Sequence, residues 1–332
     1  MLIRTRTTGP VLIGLMGLLL AASALAQTPT WTAPSSGYLY DSYTQSIRSI
    51  VGFAGSAYLG PSVVSGLDWA SLAPNQQSAL VVSGGVLSAV ADLASPDRLA
   101  TISPAYTPQQ ALWSSDSNRA VFLTANGQLV WLTNLASAPL REASWDLERG
   151  RPGRELPVRW TLLAADSAAD RVLLASRGDA RWQLWWASPT VSPVSIALAG
   201  EPTAAVFSSG SAAFVADAAG HQILQIQNLD GGPTVALLFS SKQYVADPIG
   251  MAVSVDGSRI FVTDGAAQTV RSFDSGTGAL LDELPYGSNA VSMICVSPGR
   301  FLLNPPGGTP APLFFLDTGQ PPRVFFIPRG AQ

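Results

Sequence analysis

One short strand-like run recurs six times along the chain, and this repetition constrains the fold more than any other feature of the sequence. Each copy has an apolar centre and ends in a small or turn-forming residue, as β-strands commonly do. The copies are Ser78–Ser83, Ala120–Ala125, Arg171–Ser176, Ala212–Asp217, Arg259–Asp264 and Arg300–Pro305. Their central residues, Leu80, Phe122, Leu173, Phe214, Phe261 and Leu302, are 42, 51, 41, 47 and 41 residues apart. This spacing indicates a repeat protein with one structural unit for about every 40 to 50 residues.

The residues around each copy predict four strands per repeat. Met251–Val255 precedes the fifth copy, and the Asp256-Gly257 pair that joins them is a strong hairpin signal. Thr269–Asp274 and Ala279–Leu284 follow as a third and a fourth strand. Four antiparallel strands in a unit of this length predict an all-β fold, a β-propeller. A β-sandwich or a parallel β-solenoid is the alternative, but sandwich strands need not repeat in sequence and solenoid coils are typically shorter.

The number of blades is less strongly specified than the fold. Six complete four-strand units run from Leu67 to Pro328, and an additional hairpin, Tyr38–Asp41 to Ser46–Val51, precedes them. We favour six blades, with this N-terminal hairpin packing on the last blade and helping to close the ring. Seven blades is the alternative. Closure matters because it removes exposed sheet edges.

The N-terminal 26 residues have the three parts of a secretory signal. Arg4 and Arg6 give a positive start, Val11–Leu20 is an apolar run, and Ala24-Leu25-Ala26 is a small-x-small cleavage site. The apolar run is shorter than the roughly 20 residues that a membrane helix needs. We therefore predict a signal peptide at 1–26, a linker at 27–36 and a single propeller domain at 37–332. The mature chain is expected to be secreted or periplasmic, with no membrane span.

The ionisable residues exclude several classes of function. Without its first 26 residues the chain has 17 basic and 22 acidic residues, a balance that argues against nucleic acid as a partner. Cys295 and His221 are the only cysteine and the only histidine. An internal disulfide, a Cys₄ or Cys₂His₂ zinc site and a site with several histidine ligands are thereby excluded. No cofactor is predicted, although a divalent cation such as calcium remains an alternative.

Two copies of the repeat resemble the NHL and YVTN propeller repeats. Phe214–Ile223 is similar to the NHL pattern, and Val255–Asp264 is similar to the YVTN form. Ile50–Gly55, continuing to Gly60-Pro61, resembles the glycine-rich connection between NHL blades. In the other four copies Ser83, Ala125, Ser176 and Asn304 replace the aspartate that ends the strand. The resemblance implies a propeller but no particular activity, because propellers carry many functions.

Asp217 and Asp264 end equivalent strands and are candidate ligand-binding residues. Aspartate at such a position commonly accepts hydrogen bonds from the backbone N–H groups of the next turn. The alternative is a carboxylate that binds a cation or ligand at one end of the ring. Calcium takes about six to eight oxygen ligands, and the other repeats offer few oxygens at matched positions, so we predict no metal site.

The longest connection and a tryptophan-rich strand supply the remaining candidates. The segment from 141 to 160 accounts for the 51-residue spacing and contains Trp145, Arg149, Arg151 and Arg154. Arginine and tryptophan are enriched at binding hot spots, whereas a solvated connection with weak ion pairs is the alternative. Trp186 lies in a predicted strand, where it either packs between blades or forms an aromatic platform for a ligand.

Together these features predict a non-catalytic binding or scaffold module outside the cytoplasm, for a protein or small-molecule ligand that the sequence does not identify. One alternative is a lactonase-like propeller hydrolase or lyase with a divalent cation at the channel mouth. Another is a structural component of the cell surface.

Overall fold

The computed structural model describes residues 35–52, 56–102, 106–149, 158–178, 181–198, 200–287, 290, 292–304 and 312–328. These residues form seven antiparallel sheets in chain order, each built from strands that are consecutive in the sequence. The sheets are the blades of a β-propeller, so the predicted all-β propeller is confirmed. No helix in the described part of the chain has the length and apolar character required to cross a membrane.

The first four blades contain strands β1 to β15. Blade 1 comprises β1 (Ser35–Asp41), β2 (Ser46–Val51) and β3 (Tyr58–Ser65). Blade 2 comprises β4 (Trp69–Leu72), β5 (Ala79–Ser83), β6 (Val86–Val90) and β7 (Leu99–Thr101). Blade 3 comprises β8 (Pro108–Trp113), β9 (Ala120–Thr124), β10 (Gln128–Thr133) and β11 (Leu140–Asp146). Blade 4 comprises β12 (Arg159–Ala165), β13 (Val172–Gly178), β14 (Arg181–Ala187) and β15 (Val194–Ile196).

The last three blades contain strands β16 to β27. Blade 5 comprises β16 (Pro202–Ser209), β17 (Ala212–Asp217), β18 (Gln222–Gln227) and β19 (Thr234–Ser240). Blade 6 comprises β20 (Pro248–Val253), β21 (Arg259–Asp264), β22 (Thr269–Asp274) and β23 (Leu280–Pro285). Blade 7 comprises β24 (Ile294–Ser297), β25 (Arg300–Leu302), β26 (Leu313–Asp317) and β27 (Arg323–Ile327).

The ring has seven blades, so the favoured number of six was wrong and the alternative of seven is correct. The N-terminal hairpin does not lie outside a six-bladed ring. It forms β1 and β2 of its own blade, β3 pairs with β2, and β1 lies beside β4 of the next blade. Within the described residues this blade has three strands, whereas the other six have four.

The core consists of seven apolar clusters, one at each junction between neighbouring blades. In β9, Phe122 packs toward blade 2 while Val121 packs toward blade 4. Such a strand is apolar on both faces because a blade is covered on both sides. The six predicted central residues are between 0% and 5% exposed, which confirms them as core positions.

The ring closes between blade 1 and blade 7 without exchange of a strand in the described residues. One apolar cluster joins Leu39 and Ile50 of blade 1 to Phe315 and Ile327 of blade 7.

Gln76, in the turn between β4 and β5, adds polar contacts to both blades. Its Oε1 accepts a hydrogen bond from the backbone N–H of Tyr38 at 2.6 Å, and its Nε2 donates to the carbonyl of Val296. Blades 1, 2 and 7 therefore meet at this side chain.

Candidate functional site

A cleft of about 330 Å³ opens where blades 3, 4 and 5 meet. The cleft lies at the end of the blades where two kinds of turn are found. One kind joins the first strand of a blade to the second, and the other joins the third strand to the fourth. These two kinds of turn share one end of each blade because the strands are antiparallel. The cleft is lined by Glu142 of β11, Asp170 and Arg171 before β13, Trp186 of β14, Ser188–Val191 after it, and Asp230 after β18.

Arg171 links blade 4 to blade 5 on one side of the cleft. Its Nε and Nη2 donate to the two carboxylate oxygens of Asp230, at 2.8 and 2.7 Å, in a bidentate pair. Its Nη1 donates to the buried carboxylate of Asp166 at 3.2 Å. Hydrogen bonding from Arg171 lowers the pKa of Asp230, and the same contact raises the pKa of Arg171. This side of the cleft is therefore held by a fixed pair of charges that crosses the blade junction.

Arg119, in blade 3, links a second pair of carboxylates. Its Nη2 donates to Glu142 Oε1 at 3.2 Å, and its Nη1 pairs with Asp170 Oδ1 of blade 4. The two sets of ion pairs around the cleft thus contain two arginines and four carboxylates, a surplus of two negative charges. The side chains of Glu142, Asp170 and Asp230 are between 31% and 50% exposed, so this negative charge faces solvent.

The apolar wall of the cleft is formed by Trp186, Pro189 and Val191. Trp186 is 6% exposed, since most of its ring packs in the cluster between blades 4 and 5. Its indole nitrogen is buried and has no hydrogen-bond partner among the described residues. An unpaired buried N–H costs about 1–3 kcal/mol and therefore requires an explanation.

The loop beside Trp186 is held in place by two hydrogen bonds at Ser188. Ser188 Oγ accepts a hydrogen bond from the backbone N–H of Val191 at 3.0 Å, which closes the turn. The carbonyl of Ser188 accepts a hydrogen bond from the indole N–H of Trp145 at 2.8 Å. Trp145 belongs to blade 3, so the loop of blade 4 that lines the cleft is anchored by the neighbouring blade. The arrangement combines an apolar wall with a negatively charged rim.

The structure places one predicted site residue in the cleft, one beside it and others elsewhere. Trp186 lines the cleft, and Trp145 anchors the adjacent loop through the Ser188 carbonyl without lining the cleft itself. Arg149 is exposed beyond β11, at the opposite end of the strands from the cleft. Arg151 and Arg154 lie outside the described residues. A binding role for the 141–160 connection therefore stays a prediction.

Asp217 and Asp264 are both completely buried, at the end of the strands opposite the cleft. Asp217 accepts hydrogen bonds from the backbone N–H groups of Glu201 and Gly220, at 2.7 and 3.2 Å, and from Gln222 Nε2 at 2.7 Å.

Asp264 accepts hydrogen bonds from the backbone N–H groups of Ala246, Ala266 and Ala267, and from Arg271. These contacts fit turn stabilisation by both aspartates, and a ligand-binding role for them stays a prediction. Among the described residues no group of three or more histidine, cysteine, aspartate or glutamate side chains is arranged to hold a metal ion.

The charged residues of the cleft were not among the predicted site residues. Arg171 was assigned only as the first residue of a recurring strand, and Asp230 was not singled out. Arg171 and Asp230 are 59 residues apart in the sequence and meet because blades 4 and 5 are neighbours. They belong to different kinds of turn, since Arg171 follows the turn between the first two strands of blade 4 and Asp230 lies between the last two strands of blade 5. The repeat pattern therefore gives no signal that pairs them.

The comparisons with known proteins establish the fold and no family. No protein-family model matches the chain, and no curated protein sequence matches it either. A functionally unknown protein from Desulfotomaculum acetoxidans DSM 771 is similar in structure, with a TM-score of 0.53, 12% identity, and coverage of 89% of this chain and 100% of that chain. The β-propeller domain of Myceliophteria thermophila Cps50 (Swd1) is similar with a TM-score of 0.51, 12% identity, and coverage of 89% and 96%. At this identity the likeness supports the β-propeller fold alone.

Proposed function

We propose that this protein is a non-catalytic binding module that recognises a protein or small-molecule ligand through the cleft between blades 3, 4 and 5. The observation that carries the proposal is the cleft itself, in which an apolar wall and a negatively charged rim from three blades surround about 330 Å³. That volume lies at the lower end of the range of about 300–1,000 Å³ found for small-ligand sites. Rigid blades that present short turns are also a suitable scaffold for recognition.

Site-specific photocrosslinking in the native host tests this proposal. A photoreactive phenylalanine analogue replaces Thr190, which is exposed at the cleft, or Thr277, which is exposed in the corresponding turn of blade 6. We expect a discrete adduct from position 190 that is absent from position 277. Equal adducts at both positions, or none at position 190, would contradict a binding role for the cleft.

Export is part of the same proposal, and so is the assignment of two repeats to the NHL and YVTN types. The tripartite N-terminal segment supports it, and we propose that the binding site works outside the cytoplasm. Intact-mass measurement of protein recovered from the native host is expected to give a chain that begins at Gln27. A chain that retains Arg4 and Arg6 would contradict cleavage at Ala26.

We also propose that binding needs no cofactor. Elemental analysis of the purified full chain is expected to find no cation at a stoichiometric level. A stoichiometric divalent cation that survives dialysis would contradict this part of the proposal and favour the alternative of a propeller hydrolase or lyase.

A further inference from the structure

We propose that the occupant of the cleft is a basic side chain, a guanidinium or ammonium group on an aliphatic stem, presented by a segment of a partner polypeptide. The inference rests on the proposed function and names the chemistry of its ligand. Two features of the cleft support it, namely its charge and its apolar wall.

The negative charge of the rim favours a cationic ligand. Glu142 and Asp170 each give one oxygen to Arg119, and the described residues supply no hydrogen bond to Glu142 Oε2 or Asp170 Oδ2. On the other side, Arg171 is already paired through Nε, Nη1 and Nη2. The cleft thus presents carboxylate oxygens that can accept further hydrogen bonds, whereas its lining arginine is already paired. A guanidinium group pairs with such carboxylates through charge-assisted hydrogen bonds.

The wall of the cleft matches an aliphatic stem. Trp186, Pro189 and Val191 line the same cleft as these carboxylates. Arginine and lysine bury their methylene groups against apolar surface while the charged head remains at a polar rim. A compact inorganic cation would leave this wall uncovered, whereas a basic side chain uses both the wall and the rim.

The negative rim also favours a residue within a polypeptide. A free basic amino acid carries an α-carboxylate, which the surplus negative charge around the cleft would repel. Within a polypeptide that carboxylate is replaced by a neutral amide, which is why we favour a peptide segment over a free basic amino acid.

Calorimetric titration of the full-length mature chain at low salt with Nα-acetyl-arginine amide tests the inference. The matched probe is Nα-acetyl-citrulline amide, which has a nearly identical shape and no charge. We expect the arginine probe to bind about tenfold more tightly, because its hydrogen bonds to the rim are charge-assisted. Equal affinity for the two probes, or no detectable binding of the arginine probe, would overturn the inference.

Two variants assign the site. In the double variant Glu142→Gln, Asp170→Asn the preference for the arginine probe is expected to fall to about twofold or less. Asp282→Asn is the control, since Asp282 is a part-exposed carboxylate that pairs with Arg259 at 2.7 Å in blade 6. Exposed pairs of this kind contribute about 1 kcal/mol or less, so all variants should melt at nearly the wild-type temperature. A preference that survives in the folded double variant would overturn the assignment to this cleft.

A further measurement tests whether the basic group comes from a polypeptide. Free L-arginine that binds as tightly as the blocked residue would overturn a peptide source. If the Thr190 adduct forms while the arginine probe fails to bind, the inference fails and the proposed binding function stands.

Discussion

Arg271 is the clearest case of a charged side chain that is held in one position by its surroundings. Its side chain is 7% exposed, and its guanidinium contacts Asp264 Oδ2 at 3.1 Å, Glu283 Oε2 at 2.8 Å and the carbonyl of Tyr244 at 2.9 Å. The guanidinium also lies 5.7 Å from the ring centre of Tyr244. Since Asp264 is completely buried, this pair is costly to break from either side.

The substitution Arg271→Met should therefore lower the free energy of unfolding by about 3 kcal/mol, because it leaves the Asp264 carboxylate buried without its cation. Arg323→Met is the control, since Arg323 is 65% exposed and lies 3.5 Å from Asp317. Its loss should cost less than about 1 kcal/mol. Urea denaturation of both variants checks the difference, and equal destabilisation would show that burial of the Arg271 pair has no energetic consequence.

Cys295 gives a prediction for the pH dependence of a single group. The residue is exposed as a whole, but desolvation raises the pKa of its thiol to about 11, and the thiol donates to the carbonyl of Ser297 at 3.6 Å. A raised pKa means that little thiolate is present in the folded protein near pH 8.5, where an unperturbed cysteine is about half ionised. Because the thiolate is the nucleophile, alkylation by iodoacetamide should still accelerate between pH 9 and about 10.5. A rate that levels off near pH 8.5, as expected for the urea-unfolded chain, would contradict this.

The sequence predicts some residues of the cleft and misses others for a physical reason. Trp145 and Trp186 were singled out because large aromatic side chains carry much of the contact energy at interfaces. The charged rim could not be predicted, because Arg171 and Asp230 are unremarkable turn residues until the ring places blade 4 beside blade 5. Composition and spacing identify side chains with binding potential, whereas the pairing of charges across blades depends on the tertiary structure.

At the scale of strands, prediction succeeded where the local pattern was strong. The second strand of each of blades 2 to 7 was located from its apolar run, since burial on both faces requires such a run. Blade 1 was missed as a blade because β3 contains Gly60-Pro61, and proline is depleted in strands. The structure tolerates Pro61 because β3 is the outer strand of its sheet, where a missing N–H breaks no ladder on the free side.

The close approach of two blades at Gly250 gives a prediction for a strand. Gly250 lies in β20, and a Cβ atom there would come within 2.6 Å of Met293 Cβ and 2.8 Å of the Met293 backbone nitrogen, just before β24. Gly250→Ala should therefore force the first strands of blades 6 and 7 apart and destabilise the protein by about 1–3 kcal/mol. Gly231→Ala is the control, because a Cβ at Gly231 meets nothing within 4 Å. The melting temperatures of the two variants check this. Equal shifts in both variants, or no shift in either, would contradict close packing at Gly250.

At the scale of the whole molecule, the apolar clusters explain why seven blades form a closed ring. Every blade presents two apolar faces, and each face needs a neighbour. Ile47 of blade 1 covers an apolar face of blade 2. Leu39 and Ile50, also of blade 1, cover an apolar face of blade 7. Blade 1, with three strands among the described residues, is therefore a required spacer between blades 2 and 7, and not an extension of either.

Removal of blade 1 tests this role directly. A chain that begins at residue 66 would expose Val81 and Val90 of blade 2 together with Phe315 and Ile327 of blade 7, all of which are buried in the intact ring. Six blades could cover these faces only by closing a tighter ring. Because exposed apolar faces bind hydrophobic dyes and abolish cooperative unfolding, we expect dye binding and a broad thermal transition. A chain that begins at residue 35 is the control and should melt sharply without binding dye. If the shorter chain melted as sharply as the longer one, six blades would be sufficient and blade 1 would be dispensable for closure.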